Sequence, residues 1–224
     1  MNTRLALFDL DHTLLPIDSD YEWGRFLGRV GAVDPDAYED GNRRFYEDYK
    51  AGTLDIQAFL RFSLAPLAAH PRATLDAWHR RFMEEVIHPA IRPAARALVD
   101  GHLQRGDLVA LVTATNRFVT APIARAFGID HLVATDIDET PEGRFTGAPR
   151  GTPSFREGKI ACTDAWLASL GTSWEAFDTV AFYSDSINDV PLLERATEPV
   201  ATNPDPRLAG IARARGWRIV ELFR

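Results

Sequence analysis

The sequence predicts an α/β protein in which a parallel sheet, covered by helices on both faces, is interrupted by an all-helical insert. Three observations predict it. Apolar runs too short for helices alternate along the chain with helical segments. Several of these runs are continuous rather than alternating, as strands covered on both faces are. About 100 residues separate the first run from the second, whereas a strand-helix-strand crossover needs about 30.

The elements follow in order. Residues 5–8 form the first strand. In the long gap, Asp34-Pro35 reads as an N-cap followed by a first helical residue, opening a helix to about Ala51. Further helices are predicted over 55–68 and 73–86. Trp23, Phe26, Phe45, Tyr46, Tyr49, Phe59, Phe62, Trp78 and Phe82 recur at spacings of three and four, the pattern of a small bundle's core. The insert is therefore placed at 16–90, with the core at 1–15 and 91–224. Beyond it, a helix over 93–105 starts at Pro93 and stops at Gly106, and a strand follows over 108–112. Helices at 118–127, 159–170 and 206–215 each stop at a glycine. Strands are predicted at 132–134, 180–183 and 219–222, with a weaker one at 199–201. Pro141-Glu142-Gly143 marks a hairpin within 134–147, and 148–157 reads as a loop.

Composition narrows the function classes. The 224 residues carry a net charge of −7, which argues against a general nucleic-acid binder. A single cysteine, Cys162, excludes a disulfide framework and a cysteine-rich zinc site. No apolar stretch approaches the roughly 18 residues of a membrane span. Asp9 and Asp11 interrupt the apolar amino terminus, so it does not read as a signal peptide, and the cytoplasm is the expected compartment.

Four strings carry chemistry. Phe8-Asp9-Leu10-Asp11-His12-Thr13-Leu14 sets two carboxylates at the carboxyl end of a buried strand, where open parallel sheets bind ligands. Two acids this close repel unless a cation or protons compensate, and Mg²⁺ suits an all-oxygen ligand set. An EF-hand does not fit, because Leu14 and Asp20 stand where its glycine and glutamate belong. Thr113, after the strand at 108–112 and before a helix, is a candidate anion-binding hydroxyl. Gly158-Lys159 opens a helix without a Walker loop, since Ile160 replaces the required hydroxyl residue. Asp185 and Asp189 follow the strand at 180–183. Each string is ordinary alone; together they bring four carboxylates, a hydroxyl and a lysine to the tips of one sheet.

In this order the strings resemble the motifs of the haloacid dehalogenase superfamily of phosphotransfer enzymes. Asp9-Leu10-Asp11-His12-Thr13 matches its Asp-x-Asp-x-Thr signature, Thr113 its second motif, Lys159 its third, and Asp185 with Asp189 its fourth. The insert resembles the C1 type of cap, and the subfamily resembled contains phosphoserine phosphatases and some histidinol-phosphate phosphatases. The resemblance implies a Rossmann-like core and hydrolysis of a small phosphorylated metabolite through an aspartyl phosphate. Asp9 is then the nucleophile and Asp11 the general acid and base. Thr113 and Lys159 bind the phosphoryl group. Mg²⁺ is held by Asp9, the Asp11 carbonyl, Asp185 and Asp189.

Asp18 stands at the spacing of the carboxylate that meets the substrate amine in phosphoserine phosphatases. Ala114, Asn116 and Asn188, beside the motifs, and Arg43 and Arg44, in the insert, are the further candidates for substrate contact. Ala114 and Thr115 replace two glycines usual in phosphoserine phosphatases, which turns the expectation toward an amino-alcohol phosphate such as histidinol phosphate. A phosphomutase or phosphotransferase would keep the same residues. A phospho-accepting signalling receiver shares the acid, hydroxyl and lysine set but has no use for the insert. The expected assembly is a monomer or homodimer, without nucleic-acid or membrane partners.

Overall fold

The computed structural model describes residues 3–223, and among them seven strands form one sheet in the order β4-β3-β2-β1-β5-β6-β7. The strands are β1 (Arg4–Phe8), β2 (Leu108–Asn116), β3 (His131–Glu139), β4 (Phe145–Arg150), β5 (Thr179–Ser184), β6 (Glu198–Thr202) and β7 (Arg218–Val220). All pairs are parallel except β3 with β4, the hairpin. Several boundaries differ from the sequence reading: the strand expected at 132–134 is β3, the one expected at 219–222 ends at Val220, and two more are shifted. β2 runs through Thr113 to Asn116, and 148–150 belongs to β4 rather than to a loop.

The continuous apolar runs are explained by two packed faces. Leu5 and Leu7 of β1 join Ala110, Val112, Val180 and Phe182 on one face. Ala6 and Phe8 join Val109, Leu111, Ala181 and Tyr183 on the other. The first face is covered by α8 (Glu157–Ser169), α9 (Val190–Arg195) and α10 (Pro206–Arg215). The second is covered by α6 (Pro93–Gln104) and α7 (Arg117–Ala126).

Between β1 and α6 the chain is helical: α1 (Ser19–Arg29), α2 (Pro35–Ala51), α3 (Ile56–Ala69), α4 (Arg72–Phe82) and α5 (His88–Ala90). Asp18, Asp34 and Asp55 each cap the helix that follows, accepting from backbone N–H groups of its first turn. The helix predicted to Val86 leaves α geometry after Phe82 and continues as a π turn, Met83–Ile87.

The insert is attached to the core in two ways. Trp23 of α1 meets Phe82 edge-on at 5.2 Å and Phe118 of α7 at 5.8 Å. Leu60, Leu64, Leu67, Leu75 and Phe82 lie in the same apolar cluster as Phe8, Val119 and Ile123. Helix α2 instead reaches the core through polar contacts at its carboxyl end. Arg207 donates to the carbonyls of Lys50 and Ala51, and Arg156 to that of Gly52. Among the described residues, no helix is long and apolar enough to cross a membrane.

Candidate active site

The turn after β1 sets the geometry. The Leu10 carbonyl accepts from the amides of Thr13, Leu14 and Leu15, and His12 takes a left-handed φ of 57° to close it. Asp9 is thereby held at the strand tip, its amide donating to the Tyr183 carbonyl of β5 at 2.9 Å. Thr13 turns back beneath it. Its hydroxyl lies 3.3 Å from Asp9 Oδ2 and 3.1 Å from Asp185 Oδ1, and accepts from the Asp185 amide at 3.0 Å.

Lys159 arrives from α8, buried, with Nζ donating to Asp9 Oδ1 at 2.8 Å and to Asp189 Oδ2 at 2.7 Å. Ser184 donates to the same Asp189 oxygen at 2.7 Å. Gly158 admits this approach, because a Cβ there would stand 2.1 Å from the Pro153 carbonyl oxygen. Asp11 has both oxygens engaged: Oδ1 accepts from the Ser19 amide at 2.6 Å and Oδ2 from the Thr115 hydroxyl at 3.0 Å.

These side chains border a cavity with about 60 Å³ of free volume, lined by Asp9, Asp11, Thr113, Ala114, Lys159 and Asp189 below. Above, Asp18, Asp20 and Asn42 supply polar groups, and Phe45, Tyr46, Tyr49 and Phe59 an aromatic wall. Small-molecule sites usually offer roughly 300 Å³ or more. The cavity beneath the helical segment is small on that scale. A larger concavity, 740 Å³, lies elsewhere, between α4, α7 and the hairpin. Its Arg72, Arg117 and Arg150 are already paired with Glu139 or Asp136.

Electrostatics make the site unusual. Burial raises the Asp9 carboxyl despite the neighbouring Lys159 ammonium. Burial, then Asp9 and Asp189, raise Asp185 well above the carboxylate range. Burial brings Asp189 to about 6 against the pull of Lys159, and brings Asp11 to about 6 with help from the Asp18 charge. Asp18 also rises to about 6 through burial, and Asp20 rises well above its usual value through burial, then Asp18 and Asp11. Lys159 is lowered by burial, but Asp189 and Asp9 raise it more, so it stays charged.

Three carboxylates, Asp9, Asp185 and Asp189, thus face one ammonium. Among the described residues no Lys or Arg bridges Asp185, and no three His, Cys, Asp or Glu side chains enclose an ion unaided. The set lacks two positive charges and offers only oxygen donors, which fits a hard divalent cation completed by backbone and substrate oxygens.

Other sequence candidates are placed differently. Arg43 and Arg44 are exposed on α2 outside the cavity, Arg43 paired with Asp40 and Arg44 over the Phe45 ring. Neither lines the cavity, so the structure places both away from the position expected of substrate contacts. Asn116 caps α7 through Oδ1 to the Val119 amide and donates weakly to Asp20. Asn188 accepts from Arg156 and donates to the Tyr49 carbonyl and Ser186, so it joins α2 to the core rather than facing substrate. Thr115, Ser184, Tyr49 and Arg156 were not among the sequence candidates. Only Thr115 and Ser184 left a signal, as hydroxyl residues at strand tips.

Such a fold, with an acid pair after β1, a lysine held between carboxylates and a helical cover, defines a capped phosphotransfer hydrolase of the α/β class. A family model described as haloacid dehalogenase-like hydrolase matches residues 6–194. The chain belongs to this family, and the enzyme is a phosphatase; the signalling-receiver alternative falls.

A histidinol-phosphatase from Neisseria meningitidis serogroup C (strain 8013) is 44% identical over 217 residues, 97% of this chain and 98% of that one. Phosphoserine phosphatase SerB1 from Mycobacterium tuberculosis (strain ATCC 25618 / H37Rv) is 33% identical over 223 residues, 97% of this chain and 70% of that one. The crystal structure of a protein of unknown function from Bordetella pertussis Tohama I superposes with a TM-score of 0.94 at 54% identity, covering 100% of both chains.

Proposed function

We propose that this phosphatase acts in the cytoplasm on a small amino-alcohol phosphate, histidinol phosphate first among them. The observation that carries the reading is the charge of the cavity wall. Asp18 and Asp20 line it, and Lys159, already shared by Asp9 and Asp189, is its lone Lys or Arg among the described residues. A substrate ammonium gains a charge-assisted hydrogen bond from Asp18 or Asp20. The carboxylate of phosphoserine would meet no free cation there. The identity to the Neisseria histidinol-phosphatase supports the same substrate.

In the proposed reaction Asp9 attacks phosphorus, forming an aspartyl phosphate as the bond to the leaving alkoxide breaks. Asp11 gives its proton to that alkoxide, then takes one from the water that cleaves the intermediate and releases phosphate. A carboxyl near 6 suits both transfers at neutral pH. Thr113 and Lys159 bind phosphoryl oxygens, and Lys159 also offsets the charge of Asp9. Asp9, the Asp11 carbonyl and Asp185, with Asp189 alongside, would hold Mg²⁺, which would neutralise charge between nucleophile and phosphate. Thr13 keeps Asp9 and Asp185 in fixed relation through one hydroxyl.

The test is kcat/KM for histidinol phosphate, phosphoserine and a neutral sugar phosphate, on the wild type and on Asp18→Asn. Asparagine preserves the N-cap of α1 while removing the charge. Histidinol phosphate should lead, and Asp18→Asn should cost the amine substrates at least about tenfold more than the sugar phosphate. A leading sugar phosphate together with an indifferent Asp18→Asn overturns the reading.

A further inference from the structure

We propose that Thr115 is a positioning residue for the proton transfers of Asp11. This rests on the acid-base role of Asp11 given above and adds a second residue to it. Three observations carry it.

Thr115 Oγ1 donates to Asp11 Oδ2 at 3.0 Å across 104 residues of sequence, and the side chain is almost fully buried. The other oxygen, Oδ1, is occupied by the Ser19 amide at 2.6 Å. Bonds donated to both oxygens, by the first amide of α1 and by the β2 hydroxyl, fix the plane in which the Asp11 carboxyl lies. The Ser19 amide belongs to the backbone, so the Thr115 hydroxyl is the side-chain half of this clamp. Without it the carboxyl keeps one bond and is free to turn about Cβ–Cγ, away from the leaving oxygen.

The backbone is built to aim it. The β2–β3 register shifts between Val112 and Asn116, the kind of irregularity that redirects side chains beside active sites. Thr135 Oγ1 clamps the Ala114 carbonyl at 2.8 Å, and the Thr115 amide donates to Thr113 Oγ1 at 3.2 Å. Thr113 and Thr115, two apart on one strand, both line the cavity. One addresses the phosphoryl group and the other the acid.

The test uses the difference between leaving groups. An alkoxide needs a proton to depart, whereas p-nitrophenolate leaves without one, and kcat/KM reports the step in which it departs. Thr115→Val keeps the shape and removes the hydroxyl; Thr115→Ala is a second hydroxyl-free variant should the first fold poorly; Thr115→Ser restores the group. The alkyl substrate is whichever of histidinol phosphate and phosphoserine the wild type uses better, so an error in the substrate assignment does not enter. Thr115→Val should lower kcat/KM for the alkyl phosphate by about tenfold or more. For p-nitrophenyl phosphate the fall should be several times smaller, and Thr115→Ser should recover most of the loss.

On an Asp11→Asn background Thr115→Val should add no further loss, because the two act as one unit. Equal losses for both substrates, or full additivity with Asp11→Asn, overturns the proposal. Should Asp11→Asn itself fail to separate the two leaving groups, the acid role of Asp11 is wrong and the proposal falls with it. That failure is read from the single Asp11 variant alone.

Discussion

Tyr49 of α2 donates its hydroxyl to Ser186 Oγ at 3.1 Å, joining the cap to the turn between Asp185 and Asp189. The bond lies where the cap meets the acidic loop. Asn188 Nδ2 reinforces it by donating to the Tyr49 carbonyl at 3.1 Å. With about 60 Å³ beneath it, we infer that the cover parts at this seam when substrate passes. The apolar contacts of α1, α3 and α4 with the core oppose a swing of the whole insert, while the polar bonds between α2 and the core gather at this seam.

Tyr49→Phe removes one bond of that seam, worth about 0.5–1.5 kcal/mol. The expected outcome is a KM raised by up to about tenfold, with kcat equal or higher, since release is eased. Steady-state kinetics check it; an unchanged KM would detach the seam from closure.

Asp9→Asn should lower turnover by at least about a thousandfold, because the covalent route is lost. The fold should persist, as judged by circular dichroism and thermal melting, since a neutral amide in place of Asp9 relieves its repulsion with Asp11 and Asp185. Near-normal turnover in this variant would sink the aspartyl-phosphate mechanism.

The acidic cluster makes the metal-free protein sensitive to alkali. Burial raises Asp11, Asp18 and Asp189 each to about 6 from an ordinary value of 3.8. The native state therefore holds more protons than the unfolded chain between these limits, and stability falls as pH rises through them. In EDTA, Tm should be higher at pH 5 than at pH 7.5 by a few degrees. Mg²⁺ should raise Tm more at pH 7.5 than at pH 5, because it competes with those protons. A metal-free Tm that climbs with pH over this range would contradict the assignment.

Gly158→Ala tests how Lys159 is delivered. A Cβ 2.1 Å from the Pro153 carbonyl oxygen forces the backbone to shift one residue before the lysine. A displacement of about 1 Å at a catalytic group costs up to roughly a hundredfold in rate. Both kcat/KM and Tm should fall; a variant with wild-type values for both would show that the approach is not tight.

Phe82→Ala tests whether the insert and core share one apolar centre. Phe82 is fully buried against Trp23 and Phe26. Its loss should cost about 3–5 kcal/mol and lower Tm by roughly 10 °C in a single transition. Two separated transitions in calorimetry would show instead that the helical insert melts independently.

Much of this was legible in the sequence because it depends on local physics. Continuous apolar runs in 5–8, 108–112 and 180–183 mark strands buried on two faces, and glycines at 106, 128, 171 and 216 end helices wherever the chain turns left-handed. The acids at Asp9, Asp11, Asp185 and Asp189 and the lysine at 159 match the motifs of the haloacid dehalogenase family in type and order, and that resemblance implied the phosphate chemistry. Tertiary structure alone decided who touches whom. Whether Arg43 faced the cavity or solvent depended on how α2 is rotated against α3, which the packing of Phe45 and Tyr38 on Phe62 sets. That Asn188 is spent on Arg156 and Tyr49, and that Thr115 holds Asp11, follows from hydrogen bonds spanning 32 to 139 residues. Short-range pattern fixes which side chains reach a strand tip, because strand and helix periods are local. Which partner each one meets is set by long-range packing, where buried polar groups must find their bonds from whatever the fold brings near.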